Sequence, residues 1–586
     1  MALISAKRRG VTAAAELLAR QTPRRAPGLF LLAMLAASAP AQTLSPEPAG
    51  WGPFTGQVFR APERARHGMV ASADETASRA GVEILRQGGN AADAAVAVAF
   101  TLAVTFPEAG NIAGGGFALV RMADGRSAAI DYREQAPAAA RAGMFRNDGE
   151  RWFGYLSLGV PGTLAGLGWL HERFGSKPWA EVLEPARRLA AEGAPVSFRA
   201  EATLKMVAER LKHFPEAARI FLPNGRVPEQ GDTLRQPDLA ATIAVLQRRG
   251  WREFYEGELA RRMVQDIREH GGIITLEEWK SYRAVILEPA RGAYRGHAIL
   301  TMPPSTWGGI GLLEMLNILE PFTLRPEERD SSAAWHLQIE AMRRAYWDRE
   351  RWFGKPGFET ACADVLVSKA YAAGLARGIR PDRATPSAGL ALPAAKPDGS
   401  SEQTTHFTVA DGQGNIVSNG YTLQGALGST IIPKGTGVLI SGALGYFSDG
   451  CRCENDIAPG RRAIYSMAPA LVMDRQGKPW LALGTPGDFT VPAQLFQVLV
   501  RMVDFRMPLR EAVDAPRIYH RWMPDRVAAE PGAFSPETAE RLRAMGHMID
   551  YRTRPLGDVH AVLIDPASGW RYGWADGRAG GRAAGH

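Results

Sequence analysis

The period of the apolar positions changes along the chain, and each change marks a new element. Met69-Val70-Ala71-Ser72 is an extended apolar stretch, after which Ala77 to Leu85 and Ala91 to Val104 repeat with a helical period on either side of Gly88-Gly89-Asn90. Phe117 to Val120 and Ala128 to Asp131 alternate with period two across Asp124-Gly125, which predicts a β-hairpin. From about residue 160 to 380 the pattern is mostly helical, with charged runs such as Glu201 to Lys212 and Leu259 to Glu269 that predict solvated helix faces. Pro303 to Gly309 breaks this region for a loop, and residues 381–402, rich in Pro, Ala and Ser, predict a linker without periodicity. Beyond it come short alternating strands at 405–410, 416–423, 468–473, 480–484 and 559–564, with helices at roughly 490–503 and 535–545. A helix-rich first part followed by a strand-rich second part predicts a layered α+β fold.

The first two strands of the second part carry candidate chemistry. They flank Asp411-Gly412-Gln413-Gly414-Asn415, a turn-rich pentapeptide. Pairing Asp411 with Asn415 sets Thr404 opposite Thr422 on the neighbouring strand, close enough for two hydroxyls to hydrogen-bond. A threonine that ends a linker and faces a second, orienting threonine suits a nucleophile made by backbone cleavage. The Thr404 hydroxyl would attack the Gln403 carbonyl, and hydrolysis of the resulting ester would free an α-amine on Thr404. Such an amine, with a pKa near roughly 8, can serve as general base for its own hydroxyl. Taken alone, Thr-Thr-His after a linker equally describes an ordinary strand start.

Composition narrows the possibilities. A chain of 586 residues with 46% hydrophobic content holds more than one simple core and predicts two intimately packed parts. Its net charge of +8 owes +5 to the first 41 residues, where Lys7, Arg8, Arg9, Arg20, Arg24 and Arg25 stand against Glu16, so only +3 remains for the rest. That balance excludes a nucleic-acid footprint. The same leader carries the apolar run Leu29 to Ala37 and Ala39-Pro40-Ala41 before Gln42, which predicts a signal peptide over residues 1–41. A periplasmic or secreted protein with no membrane anchor in its mature form is the expectation. Three cysteines, Cys362, Cys451 and Cys453, exclude a disulfide-built scaffold. Cys451-x-Cys453 has no matching Cys/His pair for a metal and predicts loop thiols or one bridge to Cys362. Gly114-Gly115-Gly116 precedes a strand, which excludes a phosphate cradle at a helix N-terminus. Neither cofactor nor metal is called for.

Gln403-Thr404-Thr405-His406-Phe407-Thr408-Val409 resembles the processing site of the gamma-glutamyltransferase family of N-terminal-nucleophile hydrolases. The turn Asp411 to Asn415 and Gly435-Thr436-Gly437-Val438-Leu439 continue the match. Gly88-Gly89-Asn90-Ala91-Ala92-Asp93-Ala94, Gly114-Gly115-Gly116-Phe117, Asp131-Tyr132-Arg133-Glu134, Ser466-Met467-Ala468-Pro469 and Gly484-Thr485-Pro486-Gly487 are similar to family motifs and occur in family order. The resemblance covers roughly residues 65 to 570. It implies a four-layer αββα sandwich in which residues 42–403 and 404–586 become the large and small subunits of one precursor acting on a small-molecule substrate. By the same resemblance Arg133 holds the substrate α-carboxylate, a role suited to its bidentate fork, Thr422 positions the nucleophile, and the backbone amides of Gly487 and Asp488 form the oxyanion hole. Without the family, Arg133 reads as one half of a structural ion pair.

Several substrate-facing positions depart from the family. The aspartate that receives the substrate α-ammonium falls on Tyr446, a glutamine nearby becomes Ala443, an asparagine becomes Gln424, and the first of a pair of serines becomes Tyr465, leaving Ser466. Asp488 stands at the second oxyanion glycine, where strain follows if the backbone takes a positive φ. These changes suggest a pocket that keeps a carboxylate clamp and discards an ammonium clamp. The stretch from Ser448 to Ser466 is shorter than the lid loop of lidded members, which favours water as acceptor. The leading expectation is therefore a self-processing gamma-glutamyltransferase, similar to glutathione hydrolases, that favours hydrolysis over transpeptidation. Two alternatives stand beside it: an acylase of the same family taking a glutaryl-type or oxamate-like acyl group, and a non-catalytic periplasmic binding protein.

Overall fold

The computed structural model describes residues 61–353, 362–390, 404–449 and 455–586; the leader 1–41, the processing residue Gln403, and Cys451 and Cys453 lie outside them. Cys362 carries a free thiol.

Two seven-stranded sheets form the centre. The first runs, edge to edge, Arg582–Gly585, Gly68–Ser72, Thr404–Asp411, Ile416–Thr422, Gly115–Arg121, Ser127–Asp131 and Val285–Leu287. The second runs Glu63–Ala65, Arg571–Ala575, His560–Ile564, Pro479–Gly484, Ala470–Met473, His297–Thr301 and Ala290–Tyr294. Alternation along the strands sorts their side chains into three cores. Phe407, Val409, Val417 and Tyr421 pack outward against helices Glu75–Arg86 and Ala91–Thr105. Ala410, Ile416, Phe117 and Leu119 meet Leu471, Ala482 and Val562 between the sheets. Ile299, Val472, Leu481 and Leu483 pack against helices Trp307–Leu319, Ser332–Trp352 and Val491–Val503 on the far side. Helix, sheet, sheet, helix is the expected αββα order, and both sheets draw strands from either side of residue 404.

Local chemistry explains the elements nearest the site. Asn90 accepts from the amides of Ala92 and Asp93 while Asp93 accepts from Asn90, a capping box that converts the Gly-Gly-Asn break into a helix start. That helix, Ala91–Thr105, is buried along its whole length, which fits its nearly all-apolar sequence. The triple glycine serves close backbone approach. A Cβ on Gly114 would stand 2.1 Å from the Thr422 carbonyl oxygen, and one on Gly116 would stand 2.3 Å from that of Gly420.

The structure departs from the sequence pattern in two places. Residues 285–301, expected within a helical region, form three short strands that extend both sheets, with Ile286 paired to Ile130 and Thr301 to Ala470. The first part of the expected linker, 381–390, is docked. Thr385 donates to Glu340, a buried carboxylate that needs donors, and the Ser387 amide donates to the half-buried Asp525 Oδ2 at 2.8 Å. No helix among the described residues is long and apolar enough to cross a membrane.

Candidate active site

The strand pair Thr404–Asp411 and Ile416–Thr422 has the register expected from the turn: Thr404 pairs with Thr422, and six pairs follow down to Ala410 and Ile416. Asp411 makes the turn rigid. Its Oδ1 accepts from the amides of Gln413 and Asn415, and its Oδ2 accepts from Asn415 Nδ2 and from the amide of Ala91 at 2.9 Å, tying the hairpin to a helix N-terminus. The other end is held by Asn111, whose Nδ2 donates to the Thr422 carbonyl at 3.1 Å while its Oδ1 accepts from Gly114 and Thr163. Thr404 shares its strand face with Thr408, which donates to the His560 carbonyl across the gap, so the nucleophile candidate points between the sheets. His406 lies on the same face. Burial, and then the charge of His560, push its imidazole well below the ordinary range, and its Nε2 is engaged with Ser418 Oγ.

Thr404 opens into a narrow cavity of about 10 Å³ lined by Gln424, Tyr446, Tyr465, Ser466, Met467, Asp488 and Val491. Six residues singled out in the sequence therefore share one wall system. Gln424 sits in the left-handed region, φ 69°, with its amide donating to Thr422 Oγ1 at 2.9 Å, and its side chain donates to the Tyr465 hydroxyl. Tyr465 donates in turn to Glu134 Oε2 at 2.7 Å and meets Tyr446 edge to face at 4.9 Å. Burial, and then the nearby Glu134, hold the Tyr465 phenol well above the ordinary tyrosine range, so it stays a donor. Burial likewise raises Glu134, although hydrogen bonds from Ser441 and Tyr465 oppose the shift. Thr306, the N-cap of helix Trp307–Leu319, donates to the carbonyls of Tyr465 and Met467 and so fixes the strip that carries Ser466.

Asp488 takes φ 52°, the positive value that its replacement of a glycine raised as a source of strain, and aspartate is among the side chains that best tolerate that region. Its carboxylate accepts from the Tyr446 hydroxyl across the cavity. Gly487, φ 134°, lines a neighbouring open cleft of about 570 Å³ together with Arg552, Arg554 and Phe198. The Gly487-Asp488 peptide thus divides the small cavity from the large cleft.

Arg133 is placed behind the cavity. Its Nη2 and Nε hold Asp131 at 2.7 and 3.0 Å, and its Nη1 donates to the Ala463 carbonyl at 2.7 Å. Burial would lift the Asp131 carboxyl, but the Arg133 charge beside it prevails and holds it below the ordinary aspartate range. Sequence reasoning did not assign Glu134, Asn111, Asp131 or Thr306. Asp131 had a signal, since Asp-x-Arg at a strand end lets the carboxylate take both the amide and the guanidinium of the residue two positions on. Elsewhere, His336, Glu340 and His547 form one group with metal-ligand spacing. Glu340 is committed to Arg343, Arg344 and Thr385, and two guanidiniums beside the carboxylate oppose a cation there.

Comparison with known proteins matches this architecture. A family model described as gamma-glutamyltranspeptidase fits residues 77–586. The glutathione hydrolase proenzyme of Escherichia coli (strain K12) is 37% identical over 529 residues, covering 87% of this chain and 90% of that one. The acylase ACY 1 proenzyme of Pseudomonas sp. (strain V22) is 35% identical over 529 residues, covering 87% and 93% respectively. The crystal structure of cephalosporin acylase from Bacillus halodurans is similar with a TM-score of 0.81 at 28% identity, over 93% of this chain and 99% of that one. The layer order, the pairing of Thr404 with Thr422 and a family model that spans most of the sequence agree, and the chain belongs to the gamma-glutamyltranspeptidase family of enzymes.

Proposed function

We propose that this chain is a self-processing hydrolase of γ-glutamyl amides with Thr404 as nucleophile. The observation that carries the reading is the register pair Thr404 and Thr422, with Thr404 lining a cavity that Asp488 also lines. In processing, the Thr404 hydroxyl attacks the Gln403 carbonyl carbon. The C–N bond breaks, the acyl group passes to oxygen, and the nitrogen leaves as the Thr404 α-amine. Water then hydrolyses the ester, giving a large subunit ending at Gln403 and a small one beginning at Thr404.

In turnover the α-amine takes the hydroxyl proton as oxygen attacks the substrate amide. The amides of Gly487 and Asp488 receive the oxyanion, and the protonated amine returns its proton to the leaving nitrogen. Water repeats the sequence on the ester and releases the acid. Ser466 and Gln424 are among the polar groups at hand for the acyl head group. Residues 1–41 serve as an export signal, and the mature protein works in the periplasm or outside the cell.

A second reading, an acylase for a carboxyacyl group without an α-amine, draws on Tyr446 and Tyr465, whose rings occupy the acyl end of the cavity. Electrophoresis of the purified protein tests the first step: two fragments split before Thr404 support self-processing, and one intact band in both parent and Thr404→Ala sinks it. Comparing hydrolysis of γ-glutamyl and glutaryl p-nitroanilides then separates the two readings. N-terminal sequencing of protein recovered from the periplasm tests export.

A further inference from the structure

We propose that the Asp488 side chain is the counter-charge for the substrate's ammonium group, so that one residue supplies both an oxyanion amide and the acyl-specificity carboxylate. The inference rests on the hydrolase reading above and deepens it. It reverses the balance suggested by the sequence, in which an arginine remains and a carboxylate is lost.

The first observation is where the charges lie. Tyr446 cannot bind a cation as a carboxylate would, but its hydroxyl donates to Asp488 Oδ1, which places the Asp488 carboxylate at the tip of the substituted side chain and inside the cavity that holds Thr404. The negative group has therefore moved to another loop and still serves the same space. The second observation is what each other charge does. Arg133 is committed to Asp131 and to the Ala463 carbonyl, and Glu134 accepts from Tyr465 behind the wall. Among the described residues lining the cavity, Asp488 is the one carboxylate and no lysine or arginine is present. A cavity so charged attracts a cationic head group and repels an anionic one.

The third observation is conformational. Asp488 sits at φ 52°, a region that glycine enters freely and aspartate more readily than most side chains, so the carboxylate stands where the backbone by itself would favour glycine. Tyr446 holds that carboxylate toward the cavity, as a positioning residue acting through Asp488.

The test compares parent, Asp488→Asn and Asp488→Gly as full-length self-cleaved enzymes on γ-glutamyl and glutaryl p-nitroanilide, which differ only by the α-amino group. The quantity read is the ratio of kcat/KM for the two. The parent is expected to favour the γ-glutamyl substrate at least tenfold, and each variant to lower that ratio at least tenfold. Asp488→Gly relieves the backbone while deleting the carboxylate, so it answers the question even where asparagine folds poorly. A ratio unchanged in either variant, or a parent that prefers the glutaryl substrate, overturns the proposal. Self-cleavage and hydrolysis of either anilide report separately on the hydrolase reading, so the two can fail independently.

Discussion

At the floor of the cavity Thr404 is fixed by a backbone ladder that continues from Thr422 through Asn111 and the triple glycine, whereas at the acyl end Tyr446, Tyr465, Gln424 and Asp488 are fixed by hydrogen bonds between side chains. A ladder couples every residue to its neighbours, so an error at one position propagates along the strand. A side-chain network can be rewritten one member at a time at a cost of about 1 to 3 kcal/mol for each donor or acceptor left unpaired. The Thr404 end of the cavity is accordingly hard to alter, and the end lined by the two tyrosines is open to change.

Four experiments would break or sharpen that contrast. The largest effect belongs to Thr404→Ala, which should leave one uncleaved chain on a gel and lower anilide hydrolysis by at least about 10³-fold, since the proposed mechanism makes nucleophile and base the same residue. Next is Arg133→Met. It strands Asp131 in the interior with Arg462 as remaining partner and should lower the unfolding free energy by about 3 kcal/mol in urea titrations. Asp131 is held below its ordinary value, so the stability carried by this pair is complete above about pH 4 and lost as the pH falls through the depressed folded value. Parent and variant should therefore converge only on acidification. Hydrolysis lost with stability intact would instead make Arg133 a substrate clamp.

Gly114→Ala should cost about 1 to 3 kcal/mol by forcing Thr422 away, and the same variant should process slowly when the two fragments are followed over time. Tyr465→Phe is the mildest. It removes one donor to Glu134 and one acceptor for Gln424, and should cost about 1 kcal/mol in melting experiments with a change in KM below about tenfold. A large loss there would show that the acyl end is as tightly coupled as the floor.

The parts legible in the sequence are those governed by local geometry. The turn Asp411 to Asn415 fixes the hairpin register, and with it the pairing of Thr404 with Thr422, because each residue added on one strand is matched by one on the other. The helix starts at Asn90 and the hairpin across Asp124-Gly125 are local in the same sense. The strands at 285–301 were not legible, since short segments become strands only when a sheet edge is present to pair with them.

What the sequence determined by itself was the hairpin that sets Thr404 opposite Thr422 and the α+β layering, both consequences of period and spacing within a few residues. What the tertiary structure decided was the charge of the pocket. Tyr446 meets Asp488 across 42 residues and Tyr465 meets Glu134 across 331, while Arg133 turns to Asp131 only two residues away. Coulomb interactions depend on distance in space, and chain separation gives no measure of it, so the meeting of Tyr446 with the Asp488 carboxylate could be seen only once the loops were folded together.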